Sequence, residues 1–289
     1  MKFNIPSYYL SLLFLFLPGA GWTQSQDTVK LKRDDNAGLN ILLAERWFVS
    51  DQHFDGTGEV RNNLVEYGYY SSLLEVDYGI SERWSFNLHF PFLNYTYTVT
   101  PLSLQKVAVW TTGDPDVGLT YRLFQGRSIS INAGLYLGVP LGFHGQGALN
   151  TGDGEFNQLF KLKAGSPVKT FDRHIWWTIY TGFNHRTRQY AEEFLFGAQG
   201  GRELIREKLV VSVGIDGIKA LGKLEGAGDI NPQSLFSNFR ELLIITPRMG
   251  FQIHPKLQAG IDMGIPISGR NIFSNPRFGL SLLWQNEIP

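Results

Sequence analysis

The chain has 289 residues, 26 Lys and Arg against 26 Asp and Glu, and no cysteine. A neutral chain lacks the basic footprint of a nucleic-acid binder, and the missing thiols exclude disulfides, thiolate catalysis and Cys-ligated metals. The charged fraction, 18%, lies below the ~25% usual for soluble domains, and no linker divides the middle of the chain.

Residues 1–24 read as a secretory leader. Lys2 precedes the apolar run Tyr8 to Leu17, and Pro18, Gly19, Ala20 and Gly21 supply the small residues expected near a cleavage site between Ala20 and Gln24. The run is too short for a membrane-spanning helix, which takes about 20 apolar residues. Without a cysteine no lipid can be attached there, so the expected mature protein is 25–289, exported and unlipidated.

Beyond the leader the dominant signal is alternation with period two. Ile129, Ile131, Ala133, Leu135, Leu137 and Val139 are apolar, whereas Ser128, Ser130, Asn132, Gly134, Tyr136 and Gly138 between them are mostly small or polar. The pattern returns at 209–216, 257–263 and 277–284. Twelve strands are predicted, at about 38–50, 66–78, 84–98, 114–124, 128–140, 156–170, 174–187, 195–205, 209–219, 239–253, 257–266 and 276–286. Short polar links at 80–83, 125–127, 171–173, 206–208 and 254–256 alternate with longer ones at 51–65, 99–113, 141–155, 188–194, 220–238 and 267–275. That rhythm predicts an all-β transmembrane antiparallel barrel, with short periplasmic turns, long extracellular loops and both termini in the periplasm.

Aromatic placement separates this from a soluble sandwich. Tyr78, Trp84, Tyr121, Trp177, Phe251 and Trp284 share the apolar parity of their strands and lie near a short turn or the C-terminus, as a membrane-interface girdle would. The opposite parity carries Glu75, Asp77, His89, Arg122, Lys161, Lys163, Asp216, Arg248 and Asp262, the candidate lumen-lining residues. Closure follows from energetics, because a backbone group in hydrocarbon has no water to bond. The last strand therefore pairs with the first.

Catalytic chemistry is sparse. No Gly-x-Ser-x-Gly motif, phosphate loop or zinc-binding His pair is present, and no catalytic residue, cofactor or metal is expected. His185 and Thr187, continuing the outward parity of Ile179 and Phe183, are the nearest approach to a lipid-modifying pair, but girdle polarity explains them better. His89, beside Asn87, suits a wall hydrogen bond. The Gly-rich stretch 141–155 reads as a flexible loop able to gate the lumen; its Asp153 and Glu155 fall short of the six to eight oxygens calcium takes. Gly113-Asp114-Pro115-Asp116 reads as a rim turn launching the next strand.

Residues 111 to about 187 resemble the meta-pathway phenol-degradation family of outer-membrane proteins. Carrying the resemblance are Thr112-Gly113-Asp114 before Gly118-Leu119-Thr120-Tyr121-Arg122-Leu123, then Gly138-Val139-Pro140, then Asn150-Thr151-Gly152-Asp153-Gly154 before Phe156-Asn157-Gln158. The resemblance implies an exported barrel that moves hydrophobic or aromatic small molecules, and supplies no binding residues. The reading is a passive outer-membrane channel; a plugged structural or adhesive barrel and an outer-leaflet lipid enzyme are the alternatives. Expected partners are outer-membrane lipid, the barrel-insertion machinery and a small permeant.

Overall fold

The computed structural model describes residues 38–100, 105–126, 128–145, 149–166, 175–187, 190–205, 208–222 and 235–287. The leader at 1–24 and the turn at 171–173 lie outside the described residues. The strand segments are β1 (Gly38–Phe54), β2 (Val60–Gly79), β3 (Trp84–Thr100), β4 (Gln105–Thr111), β5 (Asp116–Gln125), β6 (Ser130–Gly138), β7 (Asn157–Gly165), β8 (Ile175–Arg186), β9 (Glu192–Ile205), β10 (Leu209–Leu221), β11 (Glu241–His254), β12 (Leu257–Arg270), β13 (Ile272–Phe273) and β14 (Arg277–Glu287). No helix occurs among the described residues.

These segments build twelve staves. β4 and β5 pair with β3 in one register, Thr111 opposite Asn94 and Asp116 opposite His89, so they are two halves of a single stave. β13 and β14 likewise both pair with β1. Every consecutive stave is antiparallel to the next, and β14 closes on β1 from Gly38 opposite Glu287 to Trp47 opposite Phe278. The sheet is a closed barrel with no bare edge, as hydrocarbon demands.

The two faces differ as period two requires. Leu135, Phe160, Ile179, Val213, Ile261 and Leu280 project outward and are exposed, an apolar surface far too continuous for a water-soluble monomer. The strands cross the membrane with this face against lipid. Inward residues at the same heights are mostly polar, charged or small.

Four loop expectations are corrected. The stretch 99–113 is mostly wall, since β3 runs to Thr100 and β4 occupies 105–111. The link expected at 51–65 shrinks to 55–59, and 267–275 contains the end of β12 and all of β13. Above the bilayer the outer face no longer needs to be apolar, so ladder hydrogen bonds continue where the alternation fades. The fourth correction concerns Gly113-Asp114-Pro115-Asp116, which forms a break within a stave instead of a rim turn. Pro91 faces the break and Pro115 lies within it; neither can donate to a ladder. The Gly113 amide bonds the Pro91 carbonyl at 2.7 Å. A Cβ on Gly113 would lie 2.4 Å from Asn94 Nδ2 and 2.6 Å from Pro91 Cγ, so a larger residue has no room.

Candidate functional site: the barrel lumen

The extracellular half of the lumen is filled from two directions. Phe48, Tyr67, Tyr69, Leu242, Ile244, Ile272 and Phe273 point inward and are almost wholly buried against Leu235 and Phe236 from the link between β10 and β11. Tyr67 stacks on Phe273 with ring centroids 4.4 Å apart, and Phe236 docks against Tyr69 at 6.1 Å. Residues 235–240 thus form a plug within the bore.

A buried ion network ties this plug to the wall. Glu193, 1% exposed, accepts from Arg186 Nη1 at 3.0 Å, Arg240 Nε at 2.9 Å and Asn184 Nδ2 at 3.1 Å. Arg186 also donates to the Asn238 carbonyl at 3.2 Å and faces Asp153 at 3.4 Å. The Asn238 side chain in turn accepts from the Ala191 amide at 2.9 Å.

The stretch 141–155 enters the same space. Asp114, projecting inward from the stave break, accepts from the Gly142 amide at 2.6 Å and the Asp153 amide at 2.8 Å. Thr151 donates to the Thr112 carbonyl at 2.9 Å, and Asn94 donates to the Thr151 carbonyl at 3.1 Å. The loop expected to be flexible is therefore pinned along much of its length. Its carboxylates serve protein partners: Asp153 faces Arg186, and Glu155 accepts from the Thr187 hydroxyl. Among the described residues no cluster of His, Asp and Glu suits a metal.

Below the plug the lumen is a polar vestibule. Asp77 accepts from Asn87 at 2.8 Å, and Thr120 donates to Asn87 at 2.7 Å. His89 meets Glu75 on the inner wall, Nδ1 to Oε1, at 3.3 Å. Lys161 lies over the Tyr180 ring at 4.1 Å, and the Tyr180 hydroxyl donates to Asp216 at 2.7 Å. Arg122 and Lys163 stand on the inward set of β5 and β7, on either side of Asn132.

A row of charges marks the waist. Across neighbouring strands Ser71, Arg46, Gly279, Asp262, Arg248 and Ser212 stand opposite one another in sequence. Gly279 makes the row possible, because a Cβ there would lie 2.2 Å from the Asp262 carboxylate that leans across it. Asp262 accepts from Arg277 at 3.3 Å, Arg248 faces Asp216 at 3.9 Å, and Arg46 faces Glu75 at 3.8 Å. Beneath Arg46 lies an apolar shelf of Leu42, Ala44, Leu73 and Leu283.

The structure thus draws Glu75 and His89 together, Asp262 and Arg248 together, and Asp216, Tyr180 and Lys161 together. Arg46, Arg277, Arg186, Glu193 and Arg240 were not anticipated as site residues. Arg277 carries a signal, since it falls on the polar parity of its strand; Arg240 stands near the start of the strand expected at 239–253, one residue before β11 begins.

The aromatic set points outward near the short-turn end. Trp84 packs on Tyr121 with centroids 4.7 Å apart, Tyr78, Trp177 and Phe251 are exposed, and Trp284 stands opposite Leu257 beside the last turn. Near the opposite end a second outward cluster joins Tyr70, Tyr95, Tyr97 and Trp110, with Lys106 over the Tyr97 ring at 4.1 Å. His185 and Thr187 do not engage each other. His185 meets Glu192 at 2.9 Å, and Thr187 donates to Glu155.

No protein-family model matches the chain, so the resemblance over 111–187 rests on its motifs alone, and no curated protein matches it in sequence. Solved structures do match. The COG4313 outer membrane channel from Pseudomonas putida F1 is similar with a TM-score of 0.66 at 13% identity, covering 90% of this chain and 100% of that one. The chain folds as that channel barrel does. A NanC porin is also similar, with a TM-score of 0.53 at 8% identity over 86% of this chain and 100% of the porin.

Proposed function

We propose that the protein is a porin-like, non-enzymatic channel of a bacterial outer membrane, inserted by the barrel-assembly machinery, that admits small molecules through a bore narrowed by two inward loops. One observation carries the reading. A wall apolar on its outer face carries charges of both signs on its inner face, the polar interior that lines the bore of porin-type barrels. The fold shared with a solved channel supports it. The resemblance over 111–187 suggests hydrophobic or aromatic permeants.

A second reading, a plugged scaffold, draws support from the buried tie between Glu193, Arg186 and Arg240. Planar-bilayer recording separates the two. The wild-type protein is expected to give small single-channel currents, and Arg240→Gln, which loosens the plug, to raise them at least twofold. A flat baseline from both proteins, each folded, would favour the scaffold. The third reading, a lipid enzyme, has lost its candidate pair, because His185 and Thr187 are held by different carboxylates.

A further inference from the structure

A row of aromatic side chains crosses the outer face near the extracellular end. Phe278, Trp47, Tyr70, Tyr95 and Trp110 stand opposite one another in sequence on β14, β1, β2, β3 and β4. Trp47 stacks on Phe278 with centroids 5.9 Å apart, Tyr70 on Tyr95 at 5.8 Å, and Trp110 packs on Tyr95 at 4.3 Å. Trp47 lies eight residues above Leu39, the partner of the lower-girdle residue Tyr78. At about 3.3 Å per residue and a tilt of about 40°, that is a height of about 20 Å, close to the apolar band of about 25 Å that such barrels present to lipid. The row is the girdle of the outer leaflet.

Two residues below the row the apolar surface is interrupted. Glu45 points outward with Leu43 and Val49, both exposed, and the Ser72 hydroxyl, directly opposite on β2, donates to Glu45 Oε2 at 2.9 Å. Their outward neighbours in that register are Leu280 and Leu93, and the next row down is Leu282, Leu43, Leu74 and Phe90. Carboxyl oxygens set in hydrocarbon are costly unless donors reach them. Among the described residues Ser72 is the one donor to Glu45, so lipid must supply any other.

Above the pair stands a cation. Lys106 folds down from β4 until its ammonium lies 4.1 Å from the Tyr97 centroid and 5.1 Å from that of Tyr95. Among the described residues no ion pair engages it, and the exposed Glu66 stands two strands away across Val99. The ammonium thus sits over β3, one strand and about three residues from Ser72, roughly 11 Å by the spacings of a sheet and within the span of a disaccharide headgroup. From headgroup to tail the surface offers a cation, aromatic rings, acceptor oxygens and leucines. That order fits a lipid with a phosphate, sugar rings and N–H or O–H donors at the root of its chains. A diacyl phospholipid brings the phosphate alone, because its chains are joined by esters that only accept.

We propose that the outer face of β1 to β4 seats one phosphorylated disaccharide lipid of the outer leaflet, its phosphate on Lys106, its sugars against Tyr95 and Trp110, and an amide or hydroxyl at the root of its acyl chains donating to Glu45. The site does not depend on whether the bore conducts; it needs only the long-loop end facing outward.

Native mass spectrometry of the mature barrel, refolded in detergent, tests this with bis-phosphorylated lipid A and dioleoyl phosphatidylglycerol as the two probes. The wild type is expected to retain one lipid A at least tenfold more tightly than the phospholipid. Glu45→Leu should weaken lipid A at least tenfold and leave the phospholipid within twofold, whereas Glu45→Gln, which keeps an acceptor oxygen, should lose threefold or less. Lys106→Gln should cost about fivefold, and lipid A stripped of its phosphates should bind this variant and the wild type alike. Lys219→Gln, which removes an outer-face cation already paired with Glu241, should stay within twofold. Glu45→Leu places an apolar group in hydrocarbon; should it nonetheless fail to fold, Ser72→Ala carries the test, with an expected loss of about threefold. Equal retention of the two lipids, equal losses in Glu45→Leu and Lys219→Gln, no loss in Lys106→Gln, or no lipid A on the folded wild type would each overturn the proposal. Lipid A binding without bilayer current would remove the channel and keep the site; current without lipid preference would do the reverse.

Discussion

Replacing Glu193 by alanine is expected to destabilise the barrel by about 3–5 kcal/mol, because it strands two buried guanidiniums without their shared carboxylate. Arg186 and Arg240 both donate to Glu193, and the side chains of all three are 5% exposed or less. No other carboxylate on hand can serve both: Asp153 faces Arg186 alone, at 3.4 Å. Breaking a buried pair from one side costs far more than deleting an exposed one, where the median contribution is about 0–1 kcal/mol. Urea unfolding from lipid vesicles measures the loss. Arg240 also holds the Leu235 carbonyl, so the plug should loosen as well, and a protease added outside should cut near 235–240 in Glu193→Ala before it does in the wild type. A loss below about 1 kcal/mol would mean that water already reaches these side chains.

The second large effect lies on the outer face. Leu137 stands opposite Val117, which stands opposite Leu88, four residues above the Trp84–Tyr121 pair, well inside the apolar band. An arginine there must enter hydrocarbon, and Leu137→Arg is expected to cost about 2–4 kcal/mol, the value for the midplane of such barrels. Asn132→Arg, on the inner face of the same strand, enters a wet space already shared with Arg122 and Lys163 and should cost much less. Val211→Arg is also outward. It lies only two residues above the Leu209–Phe251 pair near the short-turn end, and its cost should fall below that of Leu137→Arg, because the penalty declines toward the interface. Equal costs at Leu137 and Asn132 would contradict the facing of β6.

The wall was legible because lipid and water impose opposite demands on successive residues, and a strand presents those residues to opposite faces. β6 is the clearest case: Ile131, Ala133, Leu135 and Leu137 against Ser130, Asn132, Gly134 and Tyr136. β1 was harder. Its outward Ile41 and Leu43 alternate with inward Leu42 and Ala44, so both faces look apolar at the height of the inner shelf, and nothing local marks Arg46 as a lumen residue. The plug was invisible for another reason. Leu235-Phe236-Ser237-Asn238-Phe239-Arg240 has no period, and what buries it is contact with β1, β2 and β13, remote in sequence. Pinning of 141–155 by Asp114 is equally nonlocal, whereas the Gly-Asp-Pro composition around Asp114 suggests a turn wherever it occurs.

Because the chain has no cysteine, single thiols can be introduced without background, and this gives the most direct measurement of which way the wall faces. With the protein folded in liposomes, Thr120→Cys, Arg122→Cys and Asn132→Cys should react with a small water-soluble methanethiosulfonate. Leu119→Cys, Ala133→Cys and Leu135→Cys should be protected from it and react with a membrane-soluble maleimide. Uniform reactivity along β5 and β6, or the reverse alternation, would contradict a barrel with lipid outside and water within.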